Sequence, residues 1–199
     1  MLEIITPAAS HDLTVLDTAR AELGGAAGTT DAEVLALIGQ ASAACARACN
    51  RATFARERVR QTEAGCAAPS PLVLARDLAP SIVSVADSGA TLTTDDYMVA
   101  DGLLWRQPYA WRTAWGCGPV VVEYDAGFEL LAGLPEDIER ACLLVLRAWF
   151  FGRGRDPTIR SMSSEGIGMT QFAAASGGAE GLPPEAMALL APWRRLPGF

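Results

Sequence analysis

Val120-Val121-Val122-Glu123-Tyr124-Asp125-Ala126-Gly127 is followed by Leu134-Pro135-Glu136-Asp137-Ile138 and then by Trp149-Phe150-Phe151-Gly152-Arg153. The first run, rich in β-branched residues, predicts a strand from Val120 to Tyr124, closed at Gly127. The second opens a helix. Pro135 suits the first helical position, where a missing N–H costs no bond. Glu136, Asp137 and Glu139 place negative charge against the helix dipole. Ile138, Ala141, Cys142, Leu144, Val145, Ala148 and Trp149 then form a broad apolar face, and Leu143, Leu146 and Phe150 leave little polar surface. A helix of this kind, ending at Gly152, is expected at the centre of a core or against a neighbouring subunit. A strand leading into a core helix makes the fold α+β: a small helical bundle with an inserted antiparallel β-layer.

Upstream, the first helix is expected to begin near Thr14, with Thr14-Val15-Leu16-Asp17 as its cap and Leu13 as a hydrophobic staple, and to end at Gly24-Gly25. Thr30-Asp31-Ala32-Glu33 is a capping-box sequence for a second helix. There Val34, Leu37, Ile38, Ala41, Cys45 and Ala48 form one apolar stripe, whose small residues permit close helix approach. From Arg51 to Gly127 the spacing changes. Ser81-Ile82-Val83-Ser84-Val85 alternates as a strand, and Asp87-Ser88-Gly89 reads as a turn. Tyr97–Ala100 and Leu103–Arg106 flank Asp101-Gly102, a strong hairpin signal. Downstream, Ser161 to Gln171 is polar, Ala173 to Gly181 is a small-residue linker, and Pro183-Pro184-Glu185 opens a short helix through Leu190. The expected domains are a helical core over 1–152, with its β insertion at about 54–127, and an extended C-terminal arm over 153–199. The arm ends in a short helix that needs a partner surface to be stable.

The composition excludes several chemistries. All 16 basic residues of the 199 are arginine, against 23 acids, for a net charge of -7. Without lysine there is no P-loop and no Schiff-base chemistry. The negative balance argues against a free-standing nucleic-acid binder. A single histidine, His11, leaves no multi-histidine metal site. The 36 alanines favour close-packed helices over a large aromatic core. Met1-Leu2-Glu3-Ile4-Ile5 carries an acid where a signal peptide would be basic, and the apolar run Ala141 to Phe151 is too short to span a membrane. The cysteines Cys45, Cys49, Cys66, Cys117 and Cys142 are odd in number and lack a C-x-x-C, so folding in a reducing compartment is expected.

Few residues stand out as chemistry. Cys45 and Cys49 share a helix face but lack further ligands, so they read as core. His11 reads as a surface or capping group. Asp95, Asp96 and Asp101 could surround a cation, yet they bracket a hairpin, where aspartate is ordinary turn chemistry. Gly166-Ile167-Gly168 lacks the third glycine of a dinucleotide fingerprint, and there is no Gly-x-Ser-x-Gly. Arginines group after the second helix (Arg47, Arg51, Arg56, Arg58, Arg60) and after the third (Arg147, Arg153, Arg155, Arg160). Each group is either a salt-bridged rim or a contact surface for acidic protein or phosphate. Trp193 and Phe199 flank Arg194-Arg195, the residue types that dominate interface energetics, which favours docking to a partner. Trp105, Tyr109, Trp111 and Trp115 are expected in the core or at the rim of the β-layer.

The order of these features resembles the head–tail connector (adaptor) proteins of tailed bacteriophages and gene transfer agents, over about residues 13 to 172. Cys49-Asn50-Arg51 is similar to the family's Thr-Gly-Arg, with asparagine tolerating the left-handed conformation. Ser81 to Val85, the hairpin from Asp96-Tyr97-Met98-Val99 through Gly102-Leu103-Leu104-Trp105-Arg106, and the opening stretch with its Ala-Gly, Pro-Glu-Asp and aromatic-x-x-Arg carry the remainder. The alanine-rich, lysine-free composition looks most like a gene transfer agent adaptor. The resemblance implies a structural protein made in the bacterial cytoplasm, not an enzyme, with no cofactor, metal or membrane. It implies a ring homo-oligomer, usually twelve-fold, at the head–tail interface. The ring joins the portal protein to a stopper or tail-terminator protein and leaves a channel for double-stranded DNA, passed without sequence specificity. Portal binding would fall on Trp193, Arg194, Arg195, Leu196 and Phe199, and removal of 183–199 is expected to leave a folded protein without head attachment. Arg51, Arg147, Arg153, Arg155 and Arg160 would contact neighbouring subunits or the DNA channel. Another neck protein, a small enzyme using Asp96 or Cys117, and a soluble DNA-binding module are the alternatives.

Overall fold

Segments of period two and segments of period three to four separate largely into two compact units, the first of strands and the second built on helices. The computed structural model describes residues 1–25, 28–65, 70–108, 111–130, 132–153, 161–164, 168–171 and 181–195. Met1–Ser10 and Thr53–Gly133 form the β unit; His11–Ala52 and Leu134–Gly198 form the helical unit.

The β unit holds β1 (Leu2–Thr6), β2 (Glu57–Ala64), β3 (Leu72–Val73), β4 (Ser81–Asp87), β5 (Ala90–Thr91), β6 (Tyr97–Ala100), β7 (Leu103–Arg106) and β8 (Pro119–Ala126). They form a five-stranded sheet in the order β1-β2-β8-β4-β5 and a three-stranded sheet β3-β7-β6, all antiparallel. Successive side chains alternate between faces, so the register Val59↔Tyr124 and Gln61↔Val122 puts these four on one face. That face packs with Leu74, Val85, Leu104, Trp115 and Val120 into a buried cluster. Both tight turns use paired left-handed residues, Ser88 (φ 52) with Gly89 (φ 87) and Asp101 (φ 51) with Gly102 (φ 75), which match the strand twist. Gly127 (φ +105) ends β8, and a Cβ there would lie 2.2 Å from the Ala55 carbonyl oxygen.

The helical unit holds α1 (Leu16–Glu22), α2 (Asp31–Ala48), α3 (Glu136–Gly152) and α4 (Pro184–Leu190). The capping box of α2 forms as expected: the Thr30 hydroxyl accepts from Glu33 N, and Thr30 N donates to Glu33 Oε2 at 2.9 Å. All six residues of its predicted stripe are buried. Facing them from α3 are Ile138, Ala141, Cys142 and Val145, also buried. α3 touches α1, α2 and α4, and so lies at the centre of this unit.

Several expectations are corrected. α1 begins at Leu16 with Val15 in the cap position and no side-chain cap. The Thr14 hydroxyl instead donates to Glu139 Oε1 at 2.9 Å, a long-range bond that outcompetes the local one. Pro135 is the cap of α3 rather than its first residue. β1 and β2 add two strands to those expected. α4 forms as expected, and the partner surface it needs lies within the chain: Leu182, Ala186 and Leu190 are buried, and α4 packs on α3. Removing 183–199 would strip apolar surface from the helical core, so that truncation would not leave an intact fold. Ser161–Ser164 (β9) and Gly168–Gln171 (β10) form a two-stranded antiparallel ladder. Tyr109, Arg155, Arg160, Leu196, Phe199, Cys66, Gly166 and Ile167 lie outside the described residues.

Candidate functional site

The end of α2 and the C-terminal segment meet within the helical unit, and this meeting joins residues singled out separately in the sequence. Helix ends leave carbonyls unpaired. Here Asn50 takes a left-handed conformation (φ 53). Asn50 N then donates to Arg47 O at 2.9 Å and Arg51 N to Ala46 O at 3.0 Å. This double bond pattern is a Schellman ending, and it turns three consecutive residues toward the C-terminal segment. Arg51 Nε donates to Trp193 O at 2.7 Å, Asn50 Nδ2 to Arg195 O at 3.0 Å, and Arg195 N to Cys49 O at 2.9 Å. Cys49 Sγ reaches Leu190 O at 3.7 Å. The Trp193-Arg194-Arg195 run is therefore held by its backbone, with the Arg194 side chain exposed.

The remaining arginines divide by role. Arg147 and Arg140 both reach Glu22, at 3.2 and 3.0 Å, fastening α3 to α1. Arg153 lies over the Phe150 ring at 5.5 Å, a cation–π contact at the exposed end of α3. Arg58 makes a bidentate pair with Asp125, at 2.8 and 2.9 Å, and Arg60 Nε donates to Glu123 Oε1 at 2.7 Å. Arg58 and Arg60 are thus the outer face of β2, with Arg56 just before it, matched by the acids of β8. The sequence carried that signal: Arg58 and Arg60 alternate with Val59 and Gln61, as Glu123 and Asp125 alternate with Val122 and Tyr124. The guanidinium of Arg58 holds the Asp125 carboxyl below the usual carboxylate range, against the opposing effect of burial.

Other candidates resolve into structural groups. Asp96 closes a single 3-10 turn by accepting from Thr93 N and its hydroxyl, at 3.0 and 2.8 Å, and pairs with Arg106 at 3.3 Å. The Thr93 bonds, then Arg106, lower its pKa. Asp101 occupies its turn. His11 and Cys117 are exposed. Cys45, Cys49 and Cys142 are buried free thiols, and contact with Cys142 together with burial pushes the Cys45 thiol up, so it stays neutral in the core. Among the described residues no group of three or more His, Cys, Asp or Glu could hold a metal ion, and no helix is long and apolar enough to cross a membrane. Trp115 is buried and its indole N–H donates to Ser70 O. Arg112 stacks on Trp105 at 3.9 Å, while Trp111 is 77% exposed.

The charged groups of this chain fasten its fold, while Trp111 and Arg194 are exposed. The chain belongs to the head completion protein family, whose model matches residues 13–196. Its role is accordingly structural and not enzymatic. Three solved structures share its fold over 100% of this chain and 98% of theirs. They are a chain from the virion of a native gene transfer agent particle (19% identity, TM-score 0.56), one from the neck of an empty particle computed with C6 symmetry (19%, 0.57), and one from the neck of a native particle computed with C12 symmetry (18%, 0.54). No curated protein matches the chain.

Proposed function

We propose that this head completion protein is the adaptor ring in the neck of a gene-transfer-agent-like particle, joining portal to stopper or tail and leaving a channel for DNA. The observation that carries the reading is the end-to-end agreement of fold with chains taken from such necks. Portal contact falls on the clamped segment, through Trp193, Arg194 and Arg195 with Leu196 and Phe199 beyond it. Arg51 contributes by holding that segment in place. Contact with neighbouring copies or passing DNA is assigned to Arg147 and Arg153, and by sequence to Arg155 and Arg160. The net charge of -7 suits a channel protein: phosphate is repelled rather than retained.

The test is electron microscopy of particles carrying this chain, with density for it seated directly against the portal. Density one layer further from the head would make it a stopper instead. For the portal contact, Arg194→Ala combined with removal of 196–199 leaves Ala186 and Leu190 in the core. It is expected to lower head attachment while the helical signal in circular dichroism is unchanged. Undiminished attachment would remove the segment from the portal contact.

A further inference from the structure

The five-stranded sheet has two open edges, and their chemistry matches. All five residues of β1 are exposed. Thr62 N donates to Met1 O at 2.8 Å, and the ladder continues as Leu2↔Gln61, Glu3↔Arg60 and Ile4↔Val59. Backbone groups of an antiparallel ladder alternate in direction. Glu3 therefore points its N–H and C=O at β2, while Leu2 and Ile4 point theirs to the open side. The side chains of Leu2 and Ile4 share the face of Val59, which belongs to the buried cluster, yet Ile4 is 48% exposed. The apolar face thus runs out to an edge that nothing covers among the described residues.

At the far side, β5 pairs only with Ala86 and Asp87 of β4, and Leu92 N takes the Val85 carbonyl at 2.8 Å. Ser81 to Ser84 stay open among the described residues, uncharged, with Val83 bulged out of the β8 ladder and 48% exposed. Open edges of this kind pair with other strands unless charge, proline or cover prevents it. β1, β2, β8 and β4 alternate in direction. β4 therefore runs antiparallel to β1, and a second copy rotated about a ring axis presents its β4 antiparallel to β1 without inversion. Contact between two different surfaces is the heterologous kind that closes rings.

We infer that β1 of one copy pairs with the Ser81–Ser84 edge of β4 in the next, so that sheet continuity ties neighbouring subunits together. The inference rests on the ring reading and names its seam. Ile4→Pro removes an outward N–H that the fold of the single chain does not use. It is expected to weaken self-association of the full chain by about tenfold or more, with the circular dichroism unchanged. Independently of how that variant folds, Ile4→Cys with Val83→Cys, in a Cys66→Ser, Cys117→Ser background, is expected to give a ladder of disulfide-linked oligomers. Each single cysteine alone is expected to give none. Self-association undiminished in Ile4→Pro, or a ladder from Ile4→Cys alone, overturns the β1–β4 seam and leaves the ring standing. Failure of the parent chain to form rings at any concentration overturns both.

Discussion

Asn50 shows how much a single backbone conformation can organise. Its left-handed φ ends α2 and aims Cys49, Asn50 and Arg51 at the C-terminal segment. Glycine should tolerate this conformation, whereas a β-branched residue should not. Asn50→Val is expected to cost about 1–2 kcal/mol in urea unfolding and to increase proteolysis after Leu190, with Asn50→Gly much closer to the parent. Asp125 makes a second prediction at this scale. Its pKa is lowered chiefly by the Arg58 bond. A lowered carboxylate contributes stability above its unfolded value, about 3.9, and loses it as pH falls through the lower folded value. Asp125→Asn should therefore melt below the parent at neutral pH, and the gap should close as the pH is taken down through the aspartate range. A gap unchanged in acid would show that the carboxylate's charge plays no part.

Among the elements, α4 is the one whose place is most consequential. It is too short to be stable alone, so its burial on α3 decides its existence. Leu190 is fully buried. Leu190→Ala is expected to cost about 2–4 kcal/mol, measured by chemical denaturation, and to loosen the Trp193 clamp that follows it. The element scale also shows what could be read in advance. α2 was readable because Thr30 and Glu33 mark its start and six apolar residues keep one spacing. The Asp101-Gly102 hairpin was readable because only a narrow set of residues fits that turn. β2 is masked in the sequence, because Arg58 and Arg60 draw attention as charge rather than as one half of an alternation. Leu2-Glu3-Ile4-Ile5 is too short to show the period of β1, and an irregularity in the ladder displaces Ile5. Thr14 depends on a partner 125 residues away and α4 on the face of a separate helix, α3, and no local pattern announces such contacts. The meeting of Arg51 with Trp193 was hidden for the same reason, although both residues had been singled out.

On the scale of the whole molecule, family membership and a full-length shared fold make the neck of a particle the place to look for it. If the adaptor reading holds, a particle made without this chain should contain a closed head with no tail attached, seen directly by electron microscopy. Heads and tails still joined in its absence would count against it.

The two units also differ in when they can be completed on the ribosome. Every strand of the β unit lies before residue 134, and its buried bond from Tyr124 to Gln61 spans 63 residues. The helical unit must close over far longer stretches: Ser42 meets Cys142 across 100 residues, and Cys49 meets Leu190 across 141. Such non-local closures are slow because the entropy of the intervening chain is lost before the contact forms. During synthesis the apolar stripe of α2, with Cys45 on it, must wait as unfinished surface while Thr53–Gly133 of the β unit is translated. That interval makes the nascent chain a client for chaperones, and it ends only when α3 and then α4 emerge to cover it.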